Sequence, residues 1–158
     1  MPITLYRIDD RLVHGQVVEA WVPHLRAGEI AVISDDISAD SMRQAIMRFA
    51  APEGVSLKIL TRAAAPAYLA AASGAATNIL VLLPGLSEAR ELVEKGVKIL
   101  KLNVGGMHYS AGKNLSIGRA IFLNDTDCAT LRFLSESGVV IEGRGVPSDA
   151  PLDLIAAI

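Results

Sequence analysis

Ile3-Thr4-Leu5-Tyr6-Arg7-Ile8 runs into Asp9-Asp10, and Glu29-Ile30-Ala31-Val32-Ile33-Ser34 runs into Asp35-Asp36. Between the two runs, Val17, Val18, Trp21, Val22 and Leu25 recur at the spacing of one helical face. A strand, a helix and a second strand in that order form a crossover unit, whose strands lie parallel. The alternation continues through β-rich runs at Ser56 to Leu60, Ile79 to Leu83, Ile99 to Val104, Ala120 to Leu123 and Val139 to Glu142. Several are apolar throughout, as strands covered on both faces are. Helices fit between them. Met42, Ala45, Ile46 and Phe49 predict a second apolar helical face, with Ser38 as its N-cap. Leu86 to Lys95 predicts a helix stopped by Gly96, and Asp125 to Ser137 one that turns Cys128, Leu131 and Leu134 inward and stops at Gly138. The fold expected is α/β with a mostly parallel sheet. Pro151 to Ile158 is expected to form a short helix that covers an edge or meets a partner.

A chain of 158 residues favours one domain, expected here over 1–158, and is long enough to bury a sizeable core. Hydrophobic residues make up 51% but aromatic ones only 4%, so Val, Ile, Leu and Ala must build that core. The net charge of -2 lacks the basic excess of a nucleic-acid module. Cys128 stands alone, which excludes a disulfide within the chain and a cysteine-rich zinc site, and suits a reducing cytosol. Met1 to Arg7 carries neither the basic region nor the apolar segment of a signal peptide. Ala63 to Ser87 holds no charged residue, but Pro66, Ser73-Gly74, Thr77-Asn78 and Pro84 divide it. It reads as a helix, a turn and a buried strand rather than a membrane span.

Sites in open α/β sheets form at the carboxyl ends of strands. There the richest segment is Arg7 to Val17, which passes two acids and Arg11 before reaching His14 and Gly15 at a helix start. A helix N-terminus turns amide groups toward an anion, and a neutral imidazole is a nucleophile near pH 7. Arg11 can neutralise phosphoryl oxygens, and Asp10 can orient the imidazole or hold Arg11. Each residue also has an ordinary reading, as a cap, a turn acid or a solvated charge. Taken alone, their convergence suggests an anion site.

Arg7-Ile8-Asp9-Asp10-Arg11-Leu12-Val13-His14-Gly15-Gln16-Val17, followed by Trp21, resembles the active-site segment of mannose-family IIB proteins of the bacterial sugar phosphotransferase system. That segment varies only between Leu and Ile at 12 and between Ile and Val at 13. Asn103-Val104-Gly105-Gly106-Met107 is similar to the family's second loop, and Val146-Pro147-Ser148-Asp149 to its element near the end. The resemblance implies a three-layer sandwich with a mostly parallel sheet of about seven strands. It implies that His14 takes a phosphoryl group on Nδ1 from a IIA phosphohistidine and passes it to a sugar held by the IIC and IID membrane subunits. The activity would be protein-Nπ-phosphohistidine–sugar phosphotransferase, with Asp10 and Arg11 as supporting residues. No metal or organic cofactor is implied, since positioning and electrostatics suffice. The expected location is cytoplasmic, peripheral to the membrane through the transporter subunits. An orphan IIB-like protein that takes phosphate and regulates a partner would carry the same motif.

Other readings compete. His108 is a rival nucleophile with no acid beside it in sequence, and His24 reads as a polar-face residue. Lys113, Arg119 and Arg144 read as solvated charges that could form a basic rim. A receiver-like switch would use Asp9-Asp10, but its third strand would need to end on an aspartate and its fifth on a lysine. Leu60-Thr61-Arg62 and Asn103-Val104-Gly105 stand there instead. A metal hydrolase could place Asp9-Asp10 and Asp35-Asp36 on neighbouring strands, yet no HxxxH or HxH pattern accompanies them.

Overall fold

The computed structural model describes residues 2–158. Strand β1 (Ile3–Asp9) leads into a π-helical turn (Val17–Trp21) continued by α1 (Val22–Leu25). Then follow β2 (Glu29–Ile33), α2 (Asp35–Ser38), α3 (Ser41–Ala50), β3 (Ser56–Leu60), α4 (Ala65–Ala72), β4 (Ile79–Leu83) and α5 (Leu86–Glu94). The chain goes on through β5 (Lys101–Gly106), β6 (Leu115–Ile117), β7 (Ile121–Leu123), α6 (Asp125–Glu136), β8 (Val140–Gly143), β9 (Leu152–Asp153) and α7 (Leu154–Ala157). Seven strands form one sheet in the order β3-β2-β4-β1-β5-β8-β9, all parallel except β9.

Strand parity divides the interior in two. In β2, Ile30 and Val32 face one layer while Ala31 and Ile33 face the other; in β4, Leu80 and Leu82 oppose Ile79, Val81 and Leu83. The first layer holds Trp21, Val17, Ile37 and Met47; the second holds Leu69, Leu92, Leu131 and Leu134 from α4, α5 and α6. This is the three-layer sandwich expected, and Gly96 and Gly138 leave their helices at positive φ.

Four expectations need correction. The run at Ala120 to Leu123 does not join the main sheet; it pairs with β6 as a separate two-stranded ribbon. The seventh place is taken by β9, too short for periodicity to reveal, which adds antiparallel to β8. Ser38 caps nothing: it ends α2, whose cap is Ser34, while Asp40 caps α3. The apolar stripe of α3 points outward, with Met42 73%, Ile46 62% and Phe49 94% exposed, and Met47 alone is buried. The expected short C-terminal helix is α7, with Leu154 in the core.

Candidate active site

Arg7 and Asp9 share parity on β1, and both are fully buried. Parallel register sets Asn103 of β5 beside Arg7 and Glu142 of β8 beside Asn103. Three adjacent strands thus carry a polar ladder through the interior. Arg7 Nη1 donates to Asn103 Oδ1 and to the Arg144 carbonyl at 2.9 Å, and Nη2 donates to Asp9 Oδ2 at 3.2 Å and to the Gly145 carbonyl at 3.0 Å. Asn103 Nδ2 donates to Glu142 Oε2 at 2.9 Å, and Lys101 Nζ lies 2.9 Å from Glu142 Oε1. Two cations and two carboxylates balance, the condition on which buried charge is tolerated.

The glycines of the second motif make room for this ladder. A Cβ on Gly105 would sit 1.9 Å from Arg7 Cζ, and one on Gly106 3.1 Å from Asp9 Oδ1. Trp21 closes the other side: its ring lies 5.0 Å from Arg7 Cζ, and Nε1–H donates to the Gly145 carbonyl at 2.9 Å. The π-helical turn that carries Trp21 is the kind of widened turn often found beside functional sites. The third motif finishes the enclosure. Val146 N–H donates to Asp149 Oδ2 at 3.2 Å, and Arg144 ties the Asp149 and Pro147 carbonyls.

His14 enters this site from the start of the helix, where its carbonyl accepts from Val18 N–H at 2.9 Å. Its Nε2 meets Asp9 Oδ2 at 2.9 Å, and its side chain is only 16% exposed. An ionised carboxylate only accepts, so Nε2 carries the proton, and in the neutral ring Nδ1 then keeps the lone pair. Asp9 is ionised for identifiable reasons. Burial pushes its pKa up, but the hydrogen bond and charge of His14, the Arg7 charge and the Arg11 amide together hold it below the usual value. Burial likewise pulls the Arg7 pKa down, with Asp9 opposing.

The loop between them folds around the same carboxylate. Leu12 N–H donates to the Asp9 carbonyl at 3.0 Å, and Arg11 N–H to Asp9 Oδ1 at 3.1 Å. Leu12 takes φ 59° while buried, a left-handed conformation that costs an L-residue about 1–2 kcal/mol. Arg11 is half-exposed, with Nε 3.8 Å from Asp9 Oδ1 and Nη2 donating to Gln16 Oε1 at 3.4 Å. Arg11 and His14 thus share Asp9, and the guanidinium keeps the solvent access from which it can meet phosphoryl oxygens.

Asp10 does neither task first suggested for it: Asp9 orients the imidazole, and Asp9 with Gln16 holds Arg11. Asp10 instead binds His108, which therefore does have an acid beside it. Lys113 pairs with Asp127, Arg144 binds carbonyls, and His24 is exposed, its ring centroid 6.0 Å from that of Trp21 in an edge-to-face arrangement. Strand β4 separates β1 from β2, so the two acid pairs are not on neighbouring strands. Among the described residues, no group of three or more His, Cys, Asp or Glu side chains is placed to hold a metal ion. Among the same residues, no helix is long and apolar enough to cross a membrane.

Comparison with known proteins fits this geometry. The family model described as the phosphotransferase system (PTS) sorbose subfamily IIB component matches residues 3–158. The sorbose-specific EIIB component of Lacticaseibacillus casei is 34% identical over 158 residues, covering 100% of this chain and 96% of that one. The mannose-specific EIIAB component of Escherichia coli K12 is 34% identical over 161 residues, and the chain spans 50% of its length. The crystal structure of the IIBSor domain of the sorbose permease from Klebsiella pneumoniae superposes with a TM-score of 0.91 at 33% identity, over 99% of this chain and 95% of that one. An N-acetyl-galactosamine-IIB component from Streptococcus pyogenes gives 0.91 at 28% identity, over 100% and 98%. The three-layer α/β fold is thus that of phosphotransferase-system IIB components. Within that class, the chain belongs to the sorbose subfamily.

Proposed function

We propose that this IIB component carries a phosphoryl group on His14 Nδ1 between a IIA donor and a sugar held by IIC and IID membrane subunits. One observation carries the reading: a fully buried, ionised Asp9 takes the Nε2–H of His14 and leaves Nδ1 as the nucleophilic nitrogen. In the first step the Nδ1 lone pair forms a bond to phosphorus, and the N–P bond of the donor phosphohistidine breaks with its electron pair returning to the donor ring. Positive charge then develops on the His14 ring, whose Nε2–H keeps donating to Asp9. The carboxylate favours that charge, while Arg11 faces the charge on the phosphoryl oxygens. In the second step a sugar hydroxyl oxygen bonds to phosphorus and gives up its proton to water, and the Nδ1–P bond returns its pair to the ring. No group of the chain beyond these need change its covalent state.

Ring orientation and electrostatics thus supply the catalysis. A cytoplasmic protein held at the membrane by its transporter subunits is the setting this scheme requires.

The test is incubation with phosphoenolpyruvate, the two general phosphotransferase proteins and a IIA domain, followed by intact mass and acid lability. An acid-labile gain of one phosphoryl group, absent in His14→Ala, is expected. No gain from an active IIA, or gain retained in His14→Ala, would sink the assignment. Adding membranes with IIC, IID and sugar should then discharge the phosphoryl group; a regulator would keep it.

A further inference from the structure

One pair of charged groups at this edge takes no part in the scheme above. Asp10 and His108 are 98 residues apart, yet β1 and β5 pair in parallel and end at the same edge. His108 Nδ1 meets Asp10 Oδ1 at 2.6 Å, and the His108 backbone N–H donates to Asp10 Oδ2 at 2.7 Å. The Asp10 backbone N–H in turn donates to the Gly106 carbonyl at 3.0 Å. Three hydrogen bonds therefore stitch the turn after β1 to the end of β5. Because a carboxylate only accepts, Nδ1 of His108 carries the proton, and Nε2 of this half-exposed ring stands outside these bonds.

The turn needs such a tie. It runs from Asp9 to His14 through Leu12, whose left-handed backbone persists only where the surroundings over-determine it. Burial of Leu12 and Val13 holds the turn on one side. On the other side Asp10 and His108 line an open cleft of about 390 Å³ together with Leu86, Met107, Ser110 and Lys113, so the turn is not packed over there. The Asp10–His108 bonds join the turn to the end of β5 at the wall of this cleft.

We propose that His108 is a positioning residue: it clamps Asp10, and through Asp10 fixes the turn that aims His14 Nδ1 and Arg11 at the incoming phosphoryl group. The kinetic consequence rests on the carrier reading; the consequence for the resting His14 ring does not.

Three variants separate the two nitrogens. His108→Asn keeps an amide N–H near the Nδ1 position, His108→Gln places one near Nε2, and His108→Ala removes both. Two quantities are measured for each: the transfer rate from a phosphorylated IIA domain, and the ring nitrogen shifts of His14 in the unphosphorylated protein. Ala and Gln should slow transfer about ten-fold and move the His14 nitrogens toward a tautomer mixture. Asn should restore both. Wild-type rate and shifts in His108→Ala would overturn the clamp. Rescue by Gln and not by Asn would also overturn it, because Nε2 would then be acting directly. If the wild-type protein takes no phosphoryl group from an active donor, the carrier reading fails by itself, and the nitrogen shifts still decide the clamp. Should the Ala variant unfold, the Asn–Gln contrast gives the same decision.

Discussion

At the scale of single residues, Asp9 is the group on which the site turns. It binds Arg7, Arg11 and His14 at once from a fully buried position. Replacing it by Asn removes the charge that balances Arg7 and should cost about 3 kcal/mol in urea unfolding, as breaking a buried pair does. The pH dependence follows from direction. Asp9 and Glu142 both titrate below their usual values of 3.8 and 4.5, Glu142 because Lys101 and Asn103 outweigh its burial. A depressed carboxylate stabilises the fold above its unfolded pKa and loses that contribution as pH falls through its folded one. The contribution of these two carboxylates should therefore be full above about pH 5 and be lost below about pH 4.5, and the acid limb should be shallower in Asp9→Asn. An equally steep limb in that variant would remove Asp9 from the linkage. Which of the two acids meets His14 was open to a sequence reading that used strand parity. Asp9 lies two residues from Arg7 and so on its face of β1, while Asp10 lies past the strand in the turn. What no local pattern carries is the register that sets Asn103 beside Arg7, or the 98-residue separation closed by Asp10 and His108.

At the scale of elements, glycines and helix faces give the sharpest tests. Gly105→Ala would drive a methyl group into the Arg7 guanidinium and should cost about 3 kcal/mol or prevent folding. A melting temperature unchanged from wild type would contradict the packing of the ladder. Arg26, exposed at φ 51° where α1 ends, is a better place for glycine: Arg26→Gly should raise stability by about 0.5–1 kcal/mol. Helix α3 is where periodicity misled. Met42, Ile46 and Phe49 repeat at helical spacing, but the repeat says only that they share a face, not which way the face turns. Each changed to Ser should shift stability by no more than about 0.5 kcal/mol, whereas Met47→Ala should cost about 2 kcal/mol or more. Comparable losses at the exposed and buried positions would reverse that orientation. Strand β4, buried at every residue, was legible because a run apolar on both faces fits only a covered strand; β9 was not, because two residues carry no period.

At the scale of the whole molecule, a parallel sheet brings strand ends from distant parts of the chain to one edge. The first, second and third motifs follow or end β1, β5 and β8, three strands adjacent in the sheet order. That adjacency is why Arg7, Asn103 and the Gly145 carbonyl can build one enclosure around Asp9 and His14. The motifs themselves could be read from the sequence; their meeting place could not, because strand order is set by packing of the two helical layers rather than by any local run. The central claim is that Asp9, by holding Nε2–H, directs the phosphoryl group to the other nitrogen of His14. The most direct measurement is a phosphorus–nitrogen correlated NMR spectrum of the protein phosphorylated through IIA. A phosphorus signal coupled to Nδ1 of His14 is the predicted result; coupling to Nε2, or to a nitrogen of His108, would contradict it.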